Sequence, residues 1–365
     1  MTPPSSCRVV IAGGGTGGHL YPGIAIAREL LARRPDATVT FAGTARGLES
    51  KVVPREGFQL DLLRIAGVKG RSPAAAMLGI ARLPLSFVDA WRIVSRRRPG
   101  LVIGVGGYSS GPVVMLAALR RIPTLIAEQN AVPGLTNRIL SRVVDGAAVT
   151  FESTVSFFGR RGFVAGNPVR REFFVTDGTD TTGAMHGKAR VLVFGGSQGA
   201  HAINVAMVEA APRLAAAGGL DVTHQTGERD LELVRRAYVD AGLEARVEPF
   251  LYAMDVEMKR ADVVVSRAGA TTIAELTAAG RASMLIPLPT AADDHQRKNA
   301  EVLARAGAAE LIEQKDLTGA LIAERLLALV TDTARREAMA AAAKTLGRPD
   351  AAKVIVNRVL ELAGC

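Results

Sequence analysis

Short runs of β-branched and aliphatic residues recur along the 365-residue chain, each closed by a glycine-rich turn and followed by a helical apolar period. RVVIAGGGTGGHLYP (8–22), GLVIGVGGYSSGP (100–112), RVLVFGGSQGAHAIN (190–204) and ADVVVSRAGATTIAEL (261–276) share this grammar. Continuous apolar strands alternating with helices predict parallel sheets covered by helices on both faces. The first glycine turn opens at Gly13 and the third at Gly195, half a chain apart. The pattern therefore predicts an α/β protein of two Rossmann-like, doubly wound domains, which also suits a chain too long for one core.

Between the two halves, AGNPVRREFFVTDGTDTTGAMHGKAR (165–190) is polar, rich in Gly and Thr, and without periodicity. We expect an amino-terminal domain over 7–167, a carboxy-terminal domain over 168–346, and a last helix over 347–365 that returns to the amino-terminal domain. In open α/β sheets ligands bind beyond the carboxyl ends of the strands, so the four glycine turns should line a cleft between the domains.

The uncharged run LVIGVGGYSSGPVVMLAAL (101–119) has the length of a membrane span, but its glycines and Pro112 divide it into a strand, a loop and a helix start. MTPPSSC has no signal-peptide pattern. Cys7 and Cys365 are too few for a disulfide framework and have no zinc-site spacing, so a reducing compartment is expected.

The formal net charge of +10 invites a nucleic-acid reading, yet no helix-turn-helix, zinc-finger or aromatic RNA-binding signature accompanies it. The excess is local. Arg64, Lys69, Arg71, Arg82, Arg92, Arg96, Arg97 and Arg98 stand against Asp89 alone, and Met77, Leu78, Ile80, Leu83, Leu85, Phe87, Val88 and Trp91 are interleaved with them. Two readings stay open: a helix lying on an anionic membrane surface, or an amphipathic packing helix with a solvated basic face.

Gly13, Gly15 and Gly18 form a G-x-G-x-x-G directly after a strand. A dinucleotide site also needs an acid at the end of the second strand, where this chain has Gly43, Thr44, Ala45 and Arg46. Arg46 leaves NADP open. No G-K-[ST] follows any glycine turn, which disfavours a P-loop nucleotidase.

His19 follows the glycines, and Pro22, tolerated in the first turn of a helix, pins it at a helix amino terminus. There the macrodipole favours the neutral, proton-accepting imidazole suited to a general base; local capping is the alternative. GGSQGA (195–200) brings backbone N–H groups and the Ser197 hydroxyl to a potential diphosphate, or forms a plain tight turn. Glu275 lies about two turns into a helix, where a carboxylate can accept ribose hydroxyls or simply face solvent. Gln296 has an amide that can donate to and accept from a sugar. No D-x-D metal motif occurs, so Arg170 and helix amino termini would have to neutralise a diphosphate leaving group.

In order and at matching distances, GGTGGHLYPGIAIA, GGYSSGP, EQNAVPGLTNR, GNPVR, VFGGSQGA, SRAGATTIAEL and DDHQRKNA resemble the MurG family, bacterial transferases of peptidoglycan synthesis. The resemblance implies a GT-B architecture and inverting transfer of N-acetylglucosamine from UDP-GlcNAc to the C4 hydroxyl of undecaprenyl-diphospho-N-acetylmuramyl-pentapeptide (lipid I), forming lipid II. It makes His19 the candidate base. It places Thr16, Gly17, Gly18 and Asn130 on the sugar and diphosphate from the amino-terminal side. Arg170 and Ser197 would hold the diphosphate, Leu251 the uracil through its backbone, and Ala270, Thr271, Thr272, Ile273 and Glu275 the nucleoside, with Gln296 on the sugar hydroxyls.

PFLYAM lacks the acidic residues expected after PF, which weakens the assignment of Leu251. No metal and no cofactor are expected. The implied partners are UDP-GlcNAc, the polyprenyl-diphosphate-linked muramyl-pentapeptide and the anionic inner leaflet at the cytoplasmic face of the bacterial plasma membrane, and no nucleic acid. Three rivals remain at this stage: another GT-B transferase, an NADP-dependent oxidoreductase, and a non-catalytic scaffold on the membrane surface.

Overall fold

The structure, a computed structural model, describes residues 7–45, 47–65, 83–174, 187–196 and 199–365. The chain divides into two compact units, one of Met1–Val169 with Arg348–Cys365 and one of Arg170–Gly347.

The first unit holds a seven-stranded sheet of order β3-β2-β1-β4-β5-β6-β7. Its strands are β1 (Arg8–Ala12), β2 (Thr38–Gly43), β3 (Gln59–Leu62), β4 (Leu101–Gly104), β5 (Thr124–Glu128), β6 (Gly146–Val149) and β7 (Gly162–Val164). Every pairing is parallel, with Val10 opposite Thr40 on one side and Val102 on the other. The intervening helices are α1 (Gly17–Arg33), α2 (Glu49–Arg55), α3 (Leu83–Arg97), α4 (Ser110–Leu119), α5 (Leu135–Leu140) and α6 (Glu152–Phe158).

The second unit repeats the plan in six parallel strands of order β10-β9-β8-β11-β12-β13. These are β8 (Ala189–Phe194), β9 (Leu220–Gln225), β10 (Ala245–Glu248), β11 (Val263–Ser266), β12 (Ala282–Leu285) and β13 (Ala309–Leu311). Its helices are α7 (His201–Ala217), α8 (Leu231–Ala241), α9 (Met254–Arg260), α10 (Ala270–Ala279), α11 (His295–Arg305), α12 (Gly319–Thr331) and α13 (Thr333–Leu346).

Strands such as VLVF and VVVS are buried on both faces, which is why they read as continuous apolar runs rather than alternating ones. In the first unit one core lies on each face of the sheet. The last helix, α14 (Ala351–Ala363), inserts Ile355, Val356 and Val359 among Val9, Ile11, Leu30 and Ile103. In the second unit Ile203, Met207, Leu214, Ile322 and Leu326 pack on Val191, Val193 and Val265.

Strand order reverses between β1 and β4 in one sheet and between β8 and β11 in the other. The glycine turns after those four strands thus stand at the two topological switch points, where such sheets bind ligands. Among the described residues no helix is long and apolar enough to cross a membrane. Leu101–Gly104 and Ser110–Leu119 are a strand and a helix, as the glycines and Pro112 required.

Two expectations need correction. Cys7 and Cys365, read as too few for a disulfide framework and as fitting a reducing compartment, pair in a disulfide with a Cα–Cα distance of 5.7 Å, because α14 brings the chain's end back beside β1. Pro22 lies in the second turn of α1 rather than the first, and its missing N–H leaves the Gly18 carbonyl without the usual helical donor. His19 is still in the first turn.

Candidate active site

At the first switch point the turn after β1 is organised by a residue outside the glycine motif. Glu49 opens α2, is almost wholly buried, and turns its carboxylate back beneath the turn. Oε2 accepts from the Gly15 N–H at 2.8 Å, and Oε1 accepts from the Thr44 N–H and hydroxyl, each at 2.8 Å. A Cβ on Gly14 would lie 2.4 Å from this carboxyl group and one on Gly47 2.1 Å from it, so a side chain at either position would have to displace the carboxylate. The anion cradled by Gly15 is therefore the chain's own carboxylate. A phosphate at the same N–H would meet a negative charge at contact distance.

Thr16 caps α1 through its carbonyl, which accepts from the N–H groups of His19 and Leu20, and Gly17 and Gly18 form the first turn. The His19 ring lies over the turn after β4. A Cβ on Gly106, which holds φ +94°, would come within 2.6 Å of His19 Nδ1, so the ring rests against bare backbone. His19 Nδ1 is 3.2 Å from Oε1 of Gln129, whose Nε2 donates to the Val105 carbonyl at 3.1 Å.

Beside it, buried Glu128 shapes the turn after β5. One carboxylate oxygen accepts from the Asn130 N–H at 3.0 Å and Nδ2 at 3.2 Å, and the other from the Gly134 N–H at 2.9 Å and Asn137 Nδ2 at 2.8 Å. His19 and Asn130 are thus brought to the same sheet end, each fixed by a residue that the sequence reading did not assign: Gln129 and Glu128. Their signal was present in the EQN tripeptide at the end of an apolar strand, where buried polar groups must find partners.

In the second unit the turn after β8 runs from Gly195 to Ala200, with Ser197 outside the described residues. Gln225 Nε2 donates to the Gly196 carbonyl at 3.0 Å and ties this turn to the end of β9. Behind it, His224 bridges Tyr238 Oη at 2.7 Å and Asn204 at 3.1 Å, and burial pushes the imidazole down to about 3. This network is neutral scaffolding for the start of α7.

The turn after β11 leads into α10 with Ala270, Thr271 and Thr272 in its first turn, Ile273 buried and Glu275 half-buried. Thr271 Oγ1 is buried without a hydrogen-bond partner among the described residues. Burial pushes the Glu275 carboxyl up to about 7, opposed by the positive charge of Arg170 and reinforced by Asp255. Arg170 stands 4.0 Å from Asp255 and over the Phe173 ring at 5.2 Å. Arg170 and Glu275, more than a hundred residues apart in sequence, therefore share one neighbourhood.

Leu251 is buried between exposed Phe250 and Tyr252. Gln296 sits in the first turn of α11, after Asp293 and Asp294 at φ +54° and +56°, a region non-glycine residues adopt uncommonly. Its Oε1 accepts from the Leu288 N–H at 3.0 Å, which uses one of the two lone pairs of the amide oxygen. Among the described residues no group of three or more His, Cys, Asp or Glu is arranged to hold a metal ion.

The basic, apolar segment resolves partly. Lys69, Arg71, Arg82, Met77, Leu78 and Ile80 lie outside the described residues, as does Arg46. In α3, Ser86, Asp89, Ala90, Ile93 and Val94 face the core, while Phe87, Val88 and Trp91 are exposed at helical spacing. Arg96 and Arg97 both pair with buried Asp61 on β3, and Arg64 pairs with Asp89 at 2.7 Å. Arg92 keeps two-thirds of its side-chain exposure at the edge of the apolar stripe.

Sequence profiles of two families match: the glycosyltransferase family 28 N-terminal domain over residues 9–149 and the glycosyltransferase family 28 C-terminal domain over residues 190–355. A relative from Anaeromyxobacter sp. (strain K) is 48% identical over 97% of this chain and 93% of its own length. One from Myxococcus xanthus (strain DK1622) is 46% identical over the same shares. Both are named UDP-N-acetylglucosamine–N-acetylmuramyl-(pentapeptide) pyrophosphoryl-undecaprenol N-acetylglucosamine transferase. The crystal structure of MurG from Acinetobacter baumannii superposes with a TM-score of 0.79 at 29% identity, covering 97% of this chain and 99% of that one.

Proposed function

The chain belongs to glycosyltransferase family 28 and, within it, to the MurG family, and from that premise we propose how its residues move N-acetylglucosamine from UDP to polyprenyl-diphospho-N-acetylmuramyl-pentapeptide. The observation that carries the assignment of roles is the placement of Glu275 and Arg170 in one neighbourhood at the second switch point. A carboxylate held among apolar atoms gains most from two hydroxyl donors, and a ribose diol supplies them. Ala270, Thr271, Thr272 and Ile273 line the same helix start, where the unpartnered Thr271 hydroxyl and the positive end of α10 suit the nucleoside and its phosphates.

Arg170, with Ser197 assigned by its motif, neutralises the diphosphate as it leaves. Leu251 offers backbone to the uracil. Gln296 donates its NH2 to a sugar hydroxyl while its oxygen is held by Leu288. On the amino-terminal unit Thr16, Gly17, Gly18 and Asn130 address the sugar and diphosphate, and His19 removes the proton from the acceptor's C4 hydroxyl as its oxygen attacks the anomeric carbon. The C–O bond to UDP breaks as the new bond forms on the opposite face, giving a β-1,4-linked disaccharide.

The exposed stripe of Phe87, Val88 and Trp91 with Arg92 supports docking of the amino-terminal unit on the anionic inner leaflet, where the lipid-linked acceptor lies. The test of the whole proposal is transfer of labelled N-acetylglucosamine from UDP to a short-chain polyprenyl-diphospho-muramyl-pentapeptide, with and without EDTA and with the product identified by mass. Disaccharide product is expected; UDP-sugar binding without product would overturn the acceptor assignment.

A further inference from the structure

A histidine that serves as a proton acceptor must present a ring nitrogen with a free electron pair to its substrate, and neutral imidazole has two tautomers that differ in which nitrogen this is. Local sequence does not choose between them. The choice is made by whatever the other nitrogen bonds to.

We propose that Gln129 is a positioning residue that fixes His19 as the Nδ1–H tautomer and so directs the Nε2 electron pair at the acceptor hydroxyl; the inference rests on the role of His19 given above. The Val105 carbonyl can only accept, so the Gln129 group 3.1 Å from it must be the NH2. The other end of the same planar amide is then necessarily the oxygen, and that oxygen lies 3.2 Å from His19 Nδ1. An amide oxygen can only accept, so Nδ1 carries the proton. The backbone carbonyl of Val105 fixes which end of the amide faces the imidazole, and the contact at Nδ1 then fixes the proton.

Gln129 is 2% exposed, which denies water the chance to replace either bond. The backbone of Gly106 lies against the ring: a methyl group there would be 2.6 Å from Nδ1. The residue type also has a consequence. A carboxylate at this position would attract the imidazolium and hold the proton, whereas a neutral amide selects the tautomer without adding a negative charge. Gln129 therefore orients the base without placing a negative charge beside it.

The test combines selective 15N-histidine labelling with turnover. Two-bond 15N–1H correlations distinguish the Nδ1–H from the Nε2–H form, and the His19 signal is identified among the five histidines by its absence in His19→Ala. In the native protein His19 is expected as Nδ1–H. In Gln129→Leu it should revert toward the Nε2–H form that histidine prefers in water, with kcat down about tenfold or more and KM for UDP-GlcNAc changed less than about threefold.

Gln129→Glu, which keeps the shape and the accepting oxygen, should retain Nδ1–H and move the acid limb of the kcat/KM profile to higher pH. A buried structural role alone would not move that limb. An Nε2–H signal in the native protein overturns the inference by itself, as does unchanged kcat in Gln129→Leu when His19→Ala has lost turnover. Full turnover in His19→Ala would instead overturn the general-base role on which the inference rests.

Discussion

Replacing Glu275 with Gln separates ribose recognition from folding, because the carboxyl is pushed up to about 7 by burial in the free protein. A ribose diol donates to the ionised form, so donor binding selects the carboxylate and must expel a proton whenever the free group is neutral. At pH 8 about nine-tenths of the free protein carries the carboxylate, and at pH 6 about one-tenth does. Apparent affinity for UDP-GlcNAc should therefore be about tenfold weaker at pH 6 than at pH 8, about 1.4 kcal/mol. UDP-GlcNAc is the right probe because its diphosphate is a diester without a titration in this window, unlike UDP.

Calorimetry in buffers of differing ionisation enthalpy should count about 0.9 proton released on binding at pH 6 and about 0.1 at pH 8. Glu275→Gln should bind more weakly at pH 8, with the slope abolished. The same shift has a stability side of opposite sense. The carboxyl is raised from its ordinary 4.5, so the advantage of the neutral group is full below about pH 4.5 and is lost as pH rises through about 7. The shift bounds the cost of ionisation at about 3 kcal/mol, and the side chain's partial contact with solvent reduces the expected gain of Glu275→Gln at pH 8 to about 1 kcal/mol. A flat affinity profile for the native protein, or a variant that keeps the native slope, would refute the assignment of Glu275 to the ribose.

Three further outcomes follow from particular contacts. Glu49→Gln puts an NH2 against an N–H donor of Gly15 or Thr44, so differential scanning calorimetry should show a loss of about 2–3 kcal/mol and lowered turnover. Gly106→Ala combines a positive φ with a Cβ in the His19 ring, and kcat should fall at least about tenfold while UDP-GlcNAc affinity, measured by calorimetry, stays near native. Trp91→Ala with Arg92→Gln should weaken co-sedimentation with anionic vesicles several-fold and leave thermal stability unchanged, since both side chains are exposed; Arg96 and Arg97 are poorer probes, because their pairing with Asp61 ties α3 to β3.

The strands, the glycine turns and the doubling of the plan were legible because a strand buried on both faces leaves an unbroken apolar run, and a switch-point turn demands glycine. His19, Thr16 and the start of α10 could be placed from those turns alone. What the sequence hid are the partners that arrive from a distance. Glu49 reaches Gly15 across 34 residues, Gln129 reaches His19 across 110, and Cys365 reaches Cys7 across 358. Such pairings depend on which strand ends are neighbours in the sheet, and periodicity carries no information on that order. Pro22 misled for a different reason. The proline removes one backbone bond, that to the Gly18 carbonyl, and α1 nevertheless continues through it to Arg33.

The two glycine turns that look alike in sequence have opposite electrostatics, and this decides between the dinucleotide and transferase readings. At the first switch point an N–H group that a dinucleotide fold directs at a phosphate is already bonded to the Glu49 carboxylate, and the glycines around it are bare because that carboxylate fills the space. Arg46, the one residue that kept NADP open, does not change this, since a pyrophosphate would still have to displace a buried, triply bonded anion. What the first turn still presents is the start of α1, with Thr16, Gly17, Gly18 and His19. At the second switch point the protein's carboxylate is raised toward neutrality and stands near an arginine, which is the setting the proposed donor site calls for. Under the proposed function the first end makes the nucleophile and the second stabilises the leaving group, a division of labour that would follow from placing the buried acid differently in each copy of the fold.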